Sequence, residues 1–127
     1  MPLLKRTPVY IKISANNIEV TNLSTGKTVS KTSAVAFSNS RIVIANFNVI
    51  EALLRDMLKE IIEKKIFPVQ LKVLIQQTQE VDGELTEIEK RALRDLAELA
   101  GATHVEIVDH FRKLSDHDAA MRLGHSN

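Results

Sequence analysis

Residues 69–109 decide the fold, and they read VQLKVLIQQTQEVDGELTEIEKRALRDLAELAGATHVEIVD. Residues 69–75 are a run of β-formers, and residues 104–108 extend again. Between them, Thr86 and Glu89 form the pattern that begins a helix, and Gly101 is the residue type that ends one. A strand, a helix and a strand in so short a span predict a crossover between parallel strands.

The N-terminal part predicts an antiparallel meander. Residues Val9 to Ser14 and Ile18 to Leu23 read as strands joined at Asn16-Asn17, residue types that tolerate the positive φ angles of a tight hairpin. A second turn is expected at residues 24–27. The third strand is then expected near Thr32 to Phe37.

Helical periodicity begins at Phe47, and Pro68 predicts the end of that helix. A C-terminal helix is expected from about Asp116, and residues 124–127 are expected to fray. The apolar positions of the first helix recur every three or four residues: Ile50, Leu53, Leu54, Met57, Leu58, Ile61 and Ile62.

The element order predicts an α/β fold of the ribonuclease-H-like type. We expect a mixed five-stranded sheet in the order 3-2-1-4-5 with about three helices. No linker or internal repeat interrupts the pattern, so residues 1–127 are expected to form a single domain.

Composition narrows the classes of partner and the compartment. The 127 residues include 17 basic and 16 acidic ones, so the net charge of +1 does not favour nucleic acid as a partner. The absence of cysteine is typical of a reducing compartment and predicts a cytoplasmic protein. The N-terminal segment 1–6 is too short for a signal peptide or a membrane span, so no stable membrane insertion is expected.

Two segments carry a resemblance to a known family. Residues 74–109, above all LTEIEKRALRDLAELAGA at 85–102, and IANFNVIEALLR at 44–55 resemble the bacterial rod-shape actin family MreB. The resemblance maps onto the N-terminal, IA-like subdomain of the actin-like fold. It implies that the nucleotide-binding partner half is missing from a chain of this length, and that residues 38–44 replace a small inserted subdomain.

The resemblance also implies where a nucleotide site would lie. In that family an acidic residue and a glycine-containing hairpin, at the end of the first strand, hold the phosphates and magnesium. Lys12 matches the acid and Ser14 matches the glycine, so Ser14, Asn16 and Asn17 are the phosphate-loop candidates of a degenerate site. Strand alternation predicts Lys12 as a solvated outward side chain. No cofactor is expected.

Glu89 is the one catalytic candidate. It matches the glutamate that positions the attacking water in the family. The favoured interpretation is a capping box, in which Glu89 and Thr86 satisfy amides of the first helical turn.

Two other patterns have simpler interpretations. Gly26-Lys27-Thr28 imitates a P-loop end, but Thr21 occupies the position of the required glycine, so a turn is expected. A C-terminal set contains zinc-ligand residue types, but its spacing matches no metal motif, so exposed polar residues are favoured over a metal site. That set is His104, His110, His117, His125, Asp109, Asp116 and Asp118.

These features favour a non-catalytic interaction module, acting as a homo-oligomer or by docking on a larger protein such as a cytoskeletal one. The edge strand near Thr32 to Phe37 and the C-terminal helix are the candidate contacts. The alternative is a small nucleotide-binding protein or ATPase whose site, with Glu89, is completed by oligomerisation. A third interpretation is a ribonuclease-H-like topology without a cytoskeletal link.

Overall fold

The computed structural model describes residues 6–36, 38, 43–62, 70–79 and 83–124. Three strands are followed by helix and strand in alternation, as the sequence predicts. In chain order the elements are β1 (Arg6–Ser14), β2 (Asn17–Asn22), β3 (Thr28–Thr32), α1 (Phe47–Ile61), β4 (Gln70–Gln77), α2 (Glu87–Leu99), β5 (Ala102–Val108) and α3 (Asp116–Gly124).

The strands form one mixed sheet in the order β3-β2-β1-β4-β5. β1, β2 and β3 are antiparallel neighbours, whereas β4 pairs in parallel with both β1 and β5. In the central pair, Ile11 lies opposite Ile75. The predicted α/β class, strand order and three helices are therefore confirmed, and the layout is that of an actin-like subdomain.

The larger core lies between one face of the sheet and helices α1 and α2. Alternate side chains of β1, namely Val9, Ile11 and Ile13, are fully buried in it. Because each buried aliphatic side chain contributes about 1.5–3 kcal/mol, this layer supplies most of the hydrophobic stabilisation. The helices contribute Ile50, Leu54, Met57, Leu58 and Ile61 from α1, and Leu93, Leu96 and Ala97 from α2.

A smaller core covers part of the opposite face. Tyr10 of β1 and Leu74 of β4 pack there against Ala119 and Leu123 of α3. All four side chains are buried. β1 and β4 are therefore covered on both sides, which explains why their apolar runs are nearly continuous.

The third strand is Thr28–Thr32, so the expected position near Thr32 to Phe37 is wrong. The chain reverses tightly at Gly26, where φ is +80°, and the strand begins two residues later. β3 is polar because it is an exposed edge, and its hydroxyls pair across the strands, with Thr21 Oγ1 lying 2.9 Å from Thr28 Oγ1. Apolar patterning therefore could not locate it.

Helix α1 ends at Ile61 rather than at Pro68, because Ile62 is already extended. The hairpin between β2 and β3 supplies partners for its last carbonyl groups. Asn22 Nδ2 donates to the Ile61 carbonyl at 3.1 Å, and Lys27 Nζ donates to the Glu60 carbonyl at 3.1 Å. Such contacts satisfy acceptors that a helix end leaves open. Pro68 itself lies outside the described residues.

The C-terminal half follows the prediction closely. Thr86 is the N-cap of α2, and Gly101, with φ at +113°, follows its end. α3 begins at Asp116 as expected and includes Gly124, while residues 125–127 lie outside the described part. Among the described residues, no helix combines the length and apolarity needed to cross a membrane.

Replacing Leu54 tests the packing of α1. Leu54 is fully buried, so Leu54→Asp places an uncompensated carboxylate in the larger core. We expect the free energy of unfolding to fall by more than about 4 kcal/mol, which is most of the stability of a domain near the lower end of the usual range of about 5–15 kcal/mol. Thermal unfolding followed by circular dichroism measures this. Ala52→Asp, at an exposed position of the same helix, is the matched control; equal melting of the two variants would contradict this placement of α1.

Candidate functional site

The predicted phosphate-loop residues lie in the tight hairpin between β1 and β2. Asn16 has a φ of +56°, the left-handed conformation that asparagine tolerates, and Ser14 pairs with Asn17 across the hairpin. The Asn-Asn turn is therefore confirmed. Asn17 Nδ2 donates to Thr32 Oγ1 of β3 at 3.1 Å, so its side chain serves the sheet edge.

Backbone amides of this hairpin are hydrogen bonded to the chain's own side chains. The Ala15 N–H donates to Gln79 Oε1 at 2.8 Å. The Asn16 N–H donates to Ser38 Oγ at 3.0 Å, and the Ser38 N–H donates back to Asn16 Oδ1 at 2.8 Å. Phosphate loops bind anions through free backbone amides of this kind. In this structure these two amides already have neutral partners.

Lys12 lies on the face opposite Ile11 and Ile13, as alternation predicts, but it is buried, so its predicted solvation is wrong. It is 8% exposed, and its Nζ lies 2.9 Å from Glu19 Oε2 and 4.6 Å above the centre of the Tyr10 ring. The side chain shares a face with Tyr10, and that face is partly covered by α3. The ion pair and the ring contact replace water around the ammonium group.

Glu89 lies in the first turn of α2 and completes a capping box. Its Oε1 accepts from the Thr86 N–H at 2.8 Å, while Thr86 Oγ1 accepts from the Glu89 N–H at 3.1 Å. The capping interpretation is therefore confirmed. The carboxylate is engaged in holding the start of the helix, which stabilises it by about 0.5–2 kcal/mol.

The histidines are distributed over separate elements. His104 lies in β5, His110 in the connection after it and His117 in α3, while His125 is outside the described residues. His110 Nδ1 accepts from the Arg112 N–H at 3.2 Å, and His104 Nε2 is buried without a hydrogen-bond partner. Within the described ranges, no three residues of the types His, Cys, Asp or Glu are placed to share a metal ion.

A buried polar network crosses the centre of the sheet, and the sequence alone does not single it out. The Tyr10 hydroxyl donates to Gln76 Oε1 and accepts from the Leu114 N–H at 3.0 Å. Gln76 Nε2 donates to the carbonyls of His110 and Arg112, at 3.0 and 2.7 Å. The network holds residues 110–114 against the sheet. The one available signal was a Gln-Gln pair ending an apolar strand, which requires partners when buried.

A groove of about 1020 Å³ runs between α2 and β5, and it too was not predicted. Its helical wall includes Ile88, Arg91 and Arg94, and its strand wall includes Val105 and Ile107. Ile88 is 82% exposed, which is unusual for so large an apolar side chain. The groove therefore combines apolar surface with basic and acidic side chains, the acidic ones being Glu87, Glu106 and Asp109.

A model of the MreB/Mbl protein family matches residues 9–113, from β1 to the connection after β5. The chain belongs to the MreB/Mbl family. It is also 31% identical, over 100 residues, to the uncharacterized protein YjaA of Escherichia coli strain K12. That match spans 75% of this chain and 76% of YjaA.

Family membership confirms the resemblance inferred from residues 74–109 and 44–55, which both lie within the matched range. This MreB/Mbl chain is an actin-like domain. Its ribonuclease-H-like topology therefore reflects that family relationship and not a chance likeness.

Replacing Tyr10 tests the buried network of this MreB/Mbl chain. Tyr10→Phe removes a hydroxyl that Gln76 and Leu114 both contact, and we expect the free energy of unfolding to fall by about 1–3 kcal/mol. Burial raises the pKa of Tyr10, so the unfolded chain loses the phenolic proton first. The stability contributed by the neutral phenol is therefore complete below the unfolded pKa of about 10 and is lost as the pH rises above it.

Urea unfolding at about pH 8 and about pH 10.5 measures both effects. The wild type should lose more stability than Tyr10→Phe between the two pH values, because only the wild type has a tyrosine to ionise. An equal alkaline loss in the two proteins would contradict this assignment.

Proposed function

We propose that this chain is a non-catalytic actin-like interaction module that no longer binds nucleotide. It acts by self-association or by docking on a larger protein, such as one of the cell-shape cytoskeleton. The proposal includes a single domain over residues 1–127. It also includes a cytoplasmic location, and the lack of cysteine in the sequence supports that location.

One observation carries the loss of nucleotide binding. The amides of Ala15 and Asn16, in the hairpin where the family resemblance places the phosphate loop, donate to Gln79 and Ser38. A phosphate could bind there only by displacing both side chains. Because these contacts are exposed or half-buried, each one opposes phosphate binding by about 0.5–1.5 kcal/mol, the net contribution of an ordinary hydrogen bond.

Charge at the same strand supports the proposal. The position that matches the family's acidic residue is Lys12, and its ammonium group is paired with Glu19. A magnesium ion requires oxygen ligands, and a carboxylate is the usual protein contribution beside nucleotide phosphates. A lysine supplies no such ligand and repels the cation.

Exposed apolar side chains on α2 support an interaction role. Ile88 is 82% exposed and Leu99 is 54% exposed. They are eleven residues apart, which is close to three helical turns, so they lie on the same side of the helix. Ala92, one turn after Ile88, continues this side and is half-buried. The exposed Asp95 lies between Ala92 and Leu99 on this side, so the stripe is apolar apart from one acidic side chain. Exposed apolar side chains grouped in this way are typical of a surface that a partner covers.

Titration with ATP tests the loss of nucleotide binding. We expect no saturable binding of labelled ATP by the purified chain, with or without magnesium, because the hairpin amides are occupied and Lys12 replaces the acid. Glu89→Gln should change the free energy of unfolding by less than about 1 kcal/mol and should change no hydrolysis rate. Micromolar ATP binding, or an ATPase rate that Glu89→Gln abolishes, would instead favour the nucleotide-binding alternative.

Replacing Ile88 tests the apolar stripe. Ile88→Asp should leave the melting temperature within about 3 °C of the wild type, because an exposed substitution contributes within about 0.5 kcal/mol. It should weaken self-association or partner binding by at least about tenfold. Sedimentation velocity over a concentration series, with pull-down from the host, measures the two routes. Ala52→Asp, at an exposed position of α1, is the control; equal behaviour of both variants would contradict a role for the stripe.

A further inference from the structure

The groove between α2 and β5 is formed partly by a strand edge. Three consecutive residues, Val105, Glu106 and Ile107, line it. Consecutive residues of a strand point to opposite faces of the sheet, so a wall that includes all three is the edge of β5 and not one of its faces. Among the described strands, β5 pairs only with β4, on its other side.

A free strand edge presents backbone N–H and C=O groups in a row. Alternate residues of a strand direct these groups away from the strand that they already pair with. The groups match an extended peptide, which can add to the sheet as a further strand, and they do not match a helix. The form of the groove therefore selects an extended occupant.

The charges in the groove select its chemistry. Two of its three acidic residues have a basic partner: Glu87 Oε2 lies 3.7 Å from Lys90 Nζ, and Glu106 Oε2 lies 2.6 Å from Arg122 Nε. Arg91 and Arg94 form no ion pair among the described residues. α2 runs back along β5 in the crossover, and Arg91 and Arg94 line the groove beside this strand. The third acidic residue of the groove, Asp109, comes just after the carboxyl end of β5.

Apolar surface completes the groove. Val105 and Ile107 are half-buried and pack against the larger core. Ile88 of α2 lines the same groove on its helical wall. In a strand added beside β5, alternate side chains point to opposite faces of the sheet, so acidic side chains on the α2 face would lie beside the arginines and the residues between them would lie on the other face.

We propose that the groove between α2 and the free edge of β5 binds an extended acidic segment of a partner protein, which adds to the sheet as a sixth strand beside β5. This inference rests on the proposed interaction function and names the partner's chemistry. It differs from docking on the stripe of Ile88 and Leu99, because backbone pairing along β5 is its central contact.

A model peptide tests the proposal. The probe is a fluorescently labelled peptide of seven residues, the length of β5, in which valine and glutamate alternate. The control peptide alternates valine and lysine. Fluorescence anisotropy should show saturable binding of the acidic peptide to the full chain and none of the basic peptide. No binding of the acidic peptide below about 1 mM would overturn the proposal.

Charge reversal locates the binding site. The double variant Arg91→Glu/Arg94→Glu should weaken binding of the acidic peptide at least about tenfold and should lessen its dependence on salt. Arg112→Glu/Lys113→Glu makes the same change of charge at exposed residues outside the groove and should have little effect. Circular dichroism melts show that both variants are folded. Equal affinities of the two variants would overturn the proposal.

Hydrogen exchange identifies the contact and the competing occupants. Bound peptide should slow exchange of alternate amides of β5. Protection confined to α2 would overturn the proposal. Protection of β5 that grows with protein concentration in the absence of peptide would also overturn it, in favour of a second copy of the chain. The ATP titration keeps the two proposals separable. Binding of ATP would contradict the proposed function. If the chain binds no ATP and the peptide leaves the amides of β5 unprotected, this inference alone is overturned.

Discussion

Burial of β1 and β4 on both faces is the constraint on which the structure depends. Helices α1 and α2 cover one face of this central pair, and α3 covers part of the other. The side chains in the middle of both strands are therefore buried. Polar groups in such strands must be paired, because an unpaired one costs about 1–3 kcal/mol. The hydrogen bonds of Tyr10 and Gln76 and the ion pair of Lys12 follow directly from this requirement.

The same pairing of polar groups extends to the hairpin between β1 and β2. Gln79, just beyond the end of β4, accepts a hydrogen bond from the Ala15 N–H of the first hairpin through its Oε1, so a residue at the end of the parallel pair occupies one of the amides that a phosphate would need. Residues 110–114 are held down by Gln76 and Tyr10 at the same end of the sheet. Side chains of the chain itself therefore occupy positions where an actin-like ATPase would keep donors open for a ligand.

The periphery of the sheet is organised differently at its two edges. β3 is short and polar, and its Lys31 forms an ion pair with Glu60 of α1, features that discourage pairing with another chain. β5 is the other edge strand, and it lies beside the wall of α2 that carries Lys90, Arg91 and Arg94. Its valine and isoleucine side chains are half-buried. Of the two edges of the sheet, β5 is therefore the one with fewer features that discourage pairing with another chain.

The sequence by itself determined both hairpin turns and the start of α2 and α3, because these follow from turn residues and caps, which are local signals. It determined the fold class and the strand order as well, because the order of its elements matches a ribonuclease-H-like layout. It also determined that Glu89 completes a cap. Only the tertiary structure decided where β3 lies and where α1 ends, since cross-strand hydroxyl pairs and the contacts of Asn22 and Lys27 set them. Burial of Lys12, occupation of the hairpin amides and the groove beside β5 likewise depend on residues far apart in the chain, which no local pattern brings together.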